Sequence, residues 1–427
     1  MKYTALLFFY FYTTCLFGQL YKTTSFIAPT YPGAYQLSQY LPLLKGKKVA
    51  VFANQTSTIG NTHLIDTLQN RGITIAKIFA PEHGFRGTAD AGETIGNYTD
   101  KATGIPVVSL FGSKTKPNAV DLKDIDIMLF DIQDVGARFY TFISSLQGFM
   151  ESAIQYNKPL IILDRPNPNG FYIDGPVLEP GFSSFVGKQP VPVVYGMTIG
   201  EYARMLIGEK WLDWKYIRKE DKEKTLTQIL GFEEKHTNFK LTVIPCKNYT
   251  HKSKYVLPVK PSPNLPDMAS IYWYPSTCFF EGTIISEGRG TEHPFCMFGH
   301  PYLPDSLYTF MPVSKEGAKE PKFKNKLCHG WNVYEPGNLV LHKLNNQLHL
   351  EYLLQSYQLF PAKDSFFIAP TSGNEKDYFF NKLAGNNMLM MQIKEGKSID
   401  EIRRSWKPKL DAFKLIRKKY LLYPDLY

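Results

Sequence analysis

Short apolar runs in this chain are repeatedly followed by polar clusters, and that recurrence limits the possible folds more than any other feature. Residues 48–53 (KVAVFA), 73–79 (ITIAKIF), 105–111 (IPVVSLF), 125–130 (IDIMLF) and 159–163 (PLIIL) are apolar and β-branched enough for buried strands. Between them, 63–71 has helical spacing stopped by Gly72, and 137–156 carries apolar residues at helical spacing. Strand and helix alternate, which predicts a parallel, Rossmann-like sheet. Polar clusters at 54–57, 82–93, 131–138 and 164–170 each follow a strand. Ligands of open α/β sheets bind beyond the carboxyl ends of the strands, so these clusters should share one rim.

The densest cluster is PEHGFRGTADAGE at 81–93, where Glu82, His83, Arg86, Asp90 and Glu93 stand among glycines and alanines. Two carboxylates beside a His and an Arg can perturb one another's proton affinity, and glycine lets the backbone approach a ligand. A second dense cluster lies in IYWYPSTCFFEGTIISEGRGTEH at 271–293, with Glu281, Glu287, Arg289, Thr291, Glu292 and His293. Ahead of it, the prolines of KPSPNLP at 260–266 enforce an extended path and mark a domain junction. With 427 residues the chain exceeds the usual single core. The expected fold is α/β, a Rossmann-like parallel-sheet domain at 19–266 followed by a smaller α+β auxiliary domain at 267–427. The Gly- and Pro-rich stretch 175–196 reads as a long functional loop or lid. Short β-like runs are expected at 338–350, and helices at 198–209, 376–395 and 399–417.

The first residues, MKYTALLFFYFYTTCLFGQL, have a Lys and then an apolar run of signal-peptide length, with cleavage expected near Gly18. An exported chain of net charge +10 should meet anions. Much of that excess lies at Arg403, Arg404 and 417–419, which fits a solvated helix face; Trp211, Trp214 and the charged run 218–224 are expected at the surface. Beyond the signal, Cys246, Cys278, Cys296 and Cys328 permit two disulfides or four buried thiols. No G-x-G-x-x-G follows a strand, and there is no P-loop, no G-x-S-x-G and no metal motif such as H-E-x-x-H. Neither a cofactor nor a metal is therefore expected.

The ordered set PEHGFRG at 81–87, AGE at 91–93, DIQDVGARFYTF at 131–142, LDRPNPNG at 163–170, PSPNLP at 261–266 and FEGTIISEGRGTEHPF at 280–295 resembles the bacterial exo-β-N-acetylmuramidases. These are glycoside hydrolases formerly grouped as a domain of unknown function. The resemblance runs over nearly all of the mature chain. It implies a Rossmann-like catalytic domain and an auxiliary domain with the active site in the cleft between them. It also implies release of a terminal, non-reducing, β-linked N-acetylmuramic acid from peptidoglycan fragments.

Glycosidic cleavage uses a carboxylic acid and usually a second carboxylate, and Glu82 and Glu93 provide a pair on one loop. The resemblance makes Glu93 the first choice for the acid and Glu82 its partner or an orienting residue. His83 is either a sugar-hydroxyl partner or a packed structural residue. Asp131, Gln133 and Asp134 follow one strand; Asp131 and Asp134 either bind hydroxyls or hold Arg138, the latter favoured for Asp134 by its four-residue spacing. Muramic acid carries a lactyl carboxylate suited to Arg. Arg86 and Arg138 share the rim of Glu93 and come first, followed by Arg165 and Arg289. Glu287 and Glu292 complete the substrate-binding set, and Tyr140 and Tyr274 either stack on a sugar or pack in the core. The expected partners are peptidoglycan-derived saccharides, with no nucleic acid and no membrane span; oligomeric state is not legible. Two other functions stay open: a metal-dependent cell-wall amidase, and a non-catalytic periplasmic glycan-binding protein.

Overall fold

The computed structural model describes residues 28–87, 90, 92, 93, 96–212 and 239–426; the segment 1–18 expected to be a signal peptide, Trp214 and the charged run 218–224 lie outside the described residues. Six runs of apolar residues and one short edge strand form a seven-stranded sheet. In chain order these are β1 (Lys48–Ala53), β2 (Thr74–Ala80), β3 (Tyr98–Thr99), β4 (Pro106–Ser109), β5 (Ile127–Asp131) and β6 (Leu160–Leu163). An antiparallel hairpin of β7 (Asp174–Val177) and β8 (Pro192–Val194) intervenes before β9 (Leu241–Ile244) returns to the sheet. The spatial order is β9-β6-β5-β1-β2-β4-β3, with every pairing parallel except β3 on β4. Leaving β3 aside, that is the doubly wound order, with the chain reversing direction between β1 and β5. The α/β, Rossmann-like sheet expected from the alternation is present.

Burial explains why these strands are legible. In β5 (IMLFD) and β6 (LIIL) every residue is buried, as both faces of a parallel sheet are covered. Helix α3 (Phe142–Gln155) covers one face, where Phe149 sets its ring edge-on to Phe52, 5.2 Å between centroids, and Phe52 stacks on Phe130 at 4.9 Å. Helices α1 (Leu37–Leu44) and α2 (Leu64–Asn70) supply Tyr40, Leu44, Leu64 and Leu68 to the core on the opposite face.

After α4 (Ile199–Gly208) and β9, the chain enters α5 (Met268–Thr277), just past the junction expected at 266. Three antiparallel strands, β10 (Met297–His300), β11 (Tyr308–Phe310) and β12 (Cys328–Asn332), make a small sheet in the order β10-β12-β11. Helices α6 (Gly337–Leu344), α7 (Glu351–Leu359), α8 (Phe379–Ala384), α9 (Met388–Lys394) and α10 (Ile399–Lys418) complete an α+β second part. One hydrophobic cluster runs from Phe52 and Phe130 on the sheet through Leu265, Ala269 and Tyr272 to Ile402 and Trp406 on α10.

Several elements differ from expectation. The stretch 175–196 is a packed hairpin, because Val177, Val191, Val193, Val194 and Tyr195 are drawn into the core, and Gly175, Pro176 and Pro192 themselves lie in its two short strands. The helix expected from 137 begins at Phe142, since Ala137 bridges Val194 and the Arg138 amide donates to the Val193 carbonyl. Residues 337–344 are helical, with Val340 and Leu344 buried one turn apart. The helix expected at 376–395 is two helices, broken where Gly385 takes a left-handed φ of 81°. The four described cysteines are free thiols, all buried.

Candidate functional site

A cavity of about 320 Å³ opens beyond the carboxyl ends of β2, β4 and β5, where the second part of the chain meets the sheet. The sheet side contributes Glu82, His83, Gly92, Phe111, Tyr140 and Thr141, and the hairpin adds Phe185 and Val186. From the other side come Ser262, Leu265, Tyr274, Glu281, Arg289 and Phe295. The lining is largely aromatic around a few polar groups, the usual composition of a small-molecule site. Among the lining residues, Tyr274 is edge-on to Tyr140 (5.9 Å), Phe139 (5.3 Å) and Phe295 (4.8 Å).

Glu82 follows Pro81 directly at the end of β2, so the strand fixes its position. Its Oε1 accepts from the Gly92 amide at 2.8 Å and its Oε2 from the Thr141 hydroxyl at 3.4 Å. The next residue, His83, is buried with φ of 67°, a left-handed conformation that a non-glycine residue adopts only when its surroundings impose it.

Glu93 sits differently. It is exposed and absent from the cavity lining; its Oε2 accepts from the Asp90 amide at 2.9 Å and meets Lys319 Nζ at 3.3 Å. The Asp90 amide, then Lys319, hold its carboxyl below the usual range. The Lys319 amide also donates to Asp90 Oδ2 at 3.1 Å, so the second part of the chain clasps the AGE loop from outside.

Of the four candidate arginines, Arg289 alone lines the cavity. Its Nη2 donates to Glu281 at 2.7 Å and its Nε lies 3.2 Å from Glu287, whose other oxygen pairs with Lys322 at 3.1 Å. Lys322 is itself anchored by the carbonyls of Phe280, Thr283 and Ile285. Burial pushes Glu281 upward in pKa, Arg289 opposes and Glu287 adds to the rise. Burial acts on Glu287 too, but Lys322 and Arg289 outweigh it and hold that carboxyl low. Arg86 instead forks onto Asp100 at 2.8 and 3.1 Å over the Phe85 ring.

Arg165 forks onto Asp131 at 2.6 and 2.8 Å, both side chains buried, beside the chain reversal between β1 and β5. Around them Asn54, Thr56 and Ser57 bond to one another and to the 131–133 backbone. Gln133 donates to the carbonyls of Asp134 and Pro166. Three of the four rim clusters, 54–57, 131–138 and 164–170, thus lock together, while Glu82, His83 and Gly92 of the fourth and residues 139–142 line the cavity.

The expected Asp134 contact to Arg138 is replaced. Asp134 accepts from Tyr195 and from the Gly136 amide, while Arg138 is fully buried and donates to the carbonyls of Pro176, Val191 and Leu383. The four-residue spacing carries no weight here because 134–138 is not helical. Glu292 is exposed and paired with Lys315. Glu281 belongs to the polar cluster at 271–293 but not to the expected site; an acid flanked by apolar residues in CFFEGTII is the sequence signal that marks it.

A Rossmann-order sheet bears an aromatic cavity with two glutamates and an arginine, residue types that can bind a sugar and supply the carboxyl groups glycoside cleavage uses. Residues 49–269 match the family described as "Exo-beta-N-acetylmuramidase NamZ, N-terminal", and 272–423 match its C-terminal counterpart. The chain belongs to the exo-β-N-acetylmuramidase family and is a glycoside hydrolase. It is 37% identical over 407 residues to peptidoglycan β-N-acetylmuramidase NamZ of Bacillus subtilis (strain 168), covering 91% of this chain and 89% of that protein. Two crystal structures of DUF1343 family proteins from Bacteroides fragilis NCTC 9343 are also similar. One is 42% identical with a TM-score of 0.79, covering 93% of this chain and all of that one. The second is 27% identical with a TM-score of 0.71, covering 92% and 99%.

Proposed function

We propose that this enzyme removes a terminal, non-reducing, β-linked N-acetylmuramic acid from peptidoglycan fragments, and that it does so in the cavity beyond β2, β4 and β5. One observation carries the assignment of the site: Glu82, held at a strand end, projects into an aromatic cavity that Arg289 also lines. Glycosidases act through carboxyl groups at the scissile bond, and aromatic faces suit sugar rings. Glu82 is accordingly taken as a catalytic carboxyl, and Arg289 as the reader of the lactyl carboxylate. Glu93, facing Lys319 outside the lining, holds the loop that brings Gly92 to Glu82. The 1–18 segment and a cell-wall substrate together support export. Of the functions open at the start, the comparisons favour the glycosidase over the amidase and the binding protein.

The test is product analysis on the disaccharide in which N-acetylmuramic acid is β-linked to N-acetylglucosamine. Free N-acetylmuramic acid is expected from the wild type, and about 10²–10⁴-fold less turnover from Glu82→Gln. Absence of that product from the wild type, or undiminished turnover by the variant, would overturn the reading.

A further inference from the structure

Among the described residues two carboxyl side chains line the cavity, Glu82 from the sheet and Glu281 from the turn Cys278–Gly282 that follows α5. We infer that Glu281 is a second catalytic carboxyl, the one that gives its proton to the leaving oxygen of the glycosidic bond. The inference rests on glycoside cleavage in this cavity, as proposed above.

The geometry separates the two oxygens of Glu281. Oε1 accepts from Arg289 Nη2 at 2.7 Å; Oε2 makes no hydrogen bond among the described residues, yet is not among the atoms sealed from solvent. An oxygen so placed on a cavity wall is the one an occupant can meet. The side chain is only 19% exposed, so its proton transfer occurs largely out of bulk water.

The charged groups facing Glu281 are Arg289, Glu287 and Lys322, with Tyr274 and Cys278 as uncharged neighbours. Both cations reach the Glu287 carboxyl, whereas Arg289 meets the Glu281 carboxyl and Lys322 meets only the Glu281 backbone carbonyl. The two carboxyls are therefore driven in opposite directions, Glu281 toward its neutral form and Glu287 toward its charged form. Environments that push two nearby acids apart mark the neutral one as a proton donor. With Glu281 protonated, Arg289 and Lys322 outnumber Glu287 by one positive charge, which suits a substrate that carries a carboxylate.

The step balances. The Glu281 proton bonds to the glycosidic oxygen as the bond to C1 breaks, and the electron pair of that bond stays on the oxygen. The leaving sugar departs as an alcohol. Water then supplies hydroxyl to C1 and a proton that restores Glu281.

A leaving group that departs without protonation reveals this role, whereas a merely structural role would affect all substrates alike. Glu281→Gln is compared with wild type on the disaccharide and on a 4-nitrophenyl muraminide. The amide oxygen can still accept from Arg289. Expected is a fall of about 10²–10⁴-fold on the disaccharide, less than about ten-fold on the aryl glycoside, and loss of the basic limb of the disaccharide pH profile. Equal losses on both substrates, or none, would overturn the inference. If Glu281→Gln does not fold, Glu281→Asp keeps the acid but withdraws it by one methylene and is judged by the same two-substrate ratio. Wild-type protein inactive on both substrates would sink the proposed function, and this inference with it.

Discussion

The Gly92 amide donates to Glu82 Oε1 at 2.8 Å, so the carboxyl at the end of β2 is held by the residue next to Glu93. The two glutamates share a loop but not a surface. Glu82 lines the cavity and Glu93 meets Lys319 outside it. An exposed carboxyl held low in pKa by the Asp90 amide and Lys319 is a poor proton donor at neutral pH.

Glu93→Gln should therefore retain turnover within about ten-fold of wild type, while Glu82→Gln loses about 10²–10⁴-fold. Initial rates on the disaccharide, measured side by side, decide the ranking. A larger loss at Glu93 would return the acid to the AGE motif.

Arg138 is fully buried and does not line the cavity. Its guanidinium bonds the carbonyls of Pro176 and Val191 near the hairpin and that of Leu383 on α8, joining segments 245 residues apart in sequence. Arg138→Met takes a donor from three buried carbonyls, of which that of Val191 keeps the Leu178 amide at 3.1 Å, for a loss of about 2–5 kcal/mol. Denaturant unfolding should show that loss while KM for the disaccharide stays near wild type. A raised KM with unchanged stability would place Arg138 at the substrate after all.

These two cases mark what the sequence could reveal. The sheet was legible because a parallel strand buried on both faces must be apolar throughout, and stretches such as LIIL have few other uses. The rim was legible because polar residues directly after such strands have nowhere else to go. Partners within the rim were not. Arg138 was paired with Asp134 on spacing, but its real acceptors come from a hairpin and a helix that only the tertiary fold brings together. Residues 175–196 look like a loop by their glycines and prolines, yet the alternate valines decide their fate by burial. Glu93 and Glu281 were indistinguishable in kind. Only a neighbouring Lys319 in one case, and enclosure beside Arg289 in the other, separates them.

Asp134 gives a pH-dependent signature. Burial raises its carboxyl to about 6, with Tyr195 and the Gly136 amide opposing. A folded-state value above the unfolded one, about 3.9, means the folded protein binds more protons between those values. Its contribution is therefore full below pH ~4 and is lost as pH rises through about 6. Asp134→Asn keeps an acceptor for Tyr195 and Gly136 but cannot titrate. The melting temperature of the variant should accordingly gain on that of the wild type between pH 4 and pH 7. A difference that is flat with pH would show that Asp134 does not titrate in this range.

Arg289 is the arginine positioned to tell muramic acid from glucosamine, because it alone among the candidates lines the cavity. Removing it outright would leave Glu281 without its cation and Glu287 with Lys322 alone, confusing specificity with stability. Arg289→Lys keeps the charge but loses the planar fork that can meet a carboxylate with two parallel bonds. One charged hydrogen bond contributes about 1.5–3 kcal/mol, so kcat/KM on an aryl N-acetylmuraminide should fall roughly ten- to two-hundred-fold. The corresponding N-acetylglucosaminide lacks the lactyl group and should be affected far less. The ratio of the two kcat/KM values is the measurement, since damage to the shared machinery cancels in it. An unchanged ratio would assign the lactyl carboxylate to other donors on the cavity wall, with Arg289 left to set the charge of Glu281 and Glu287.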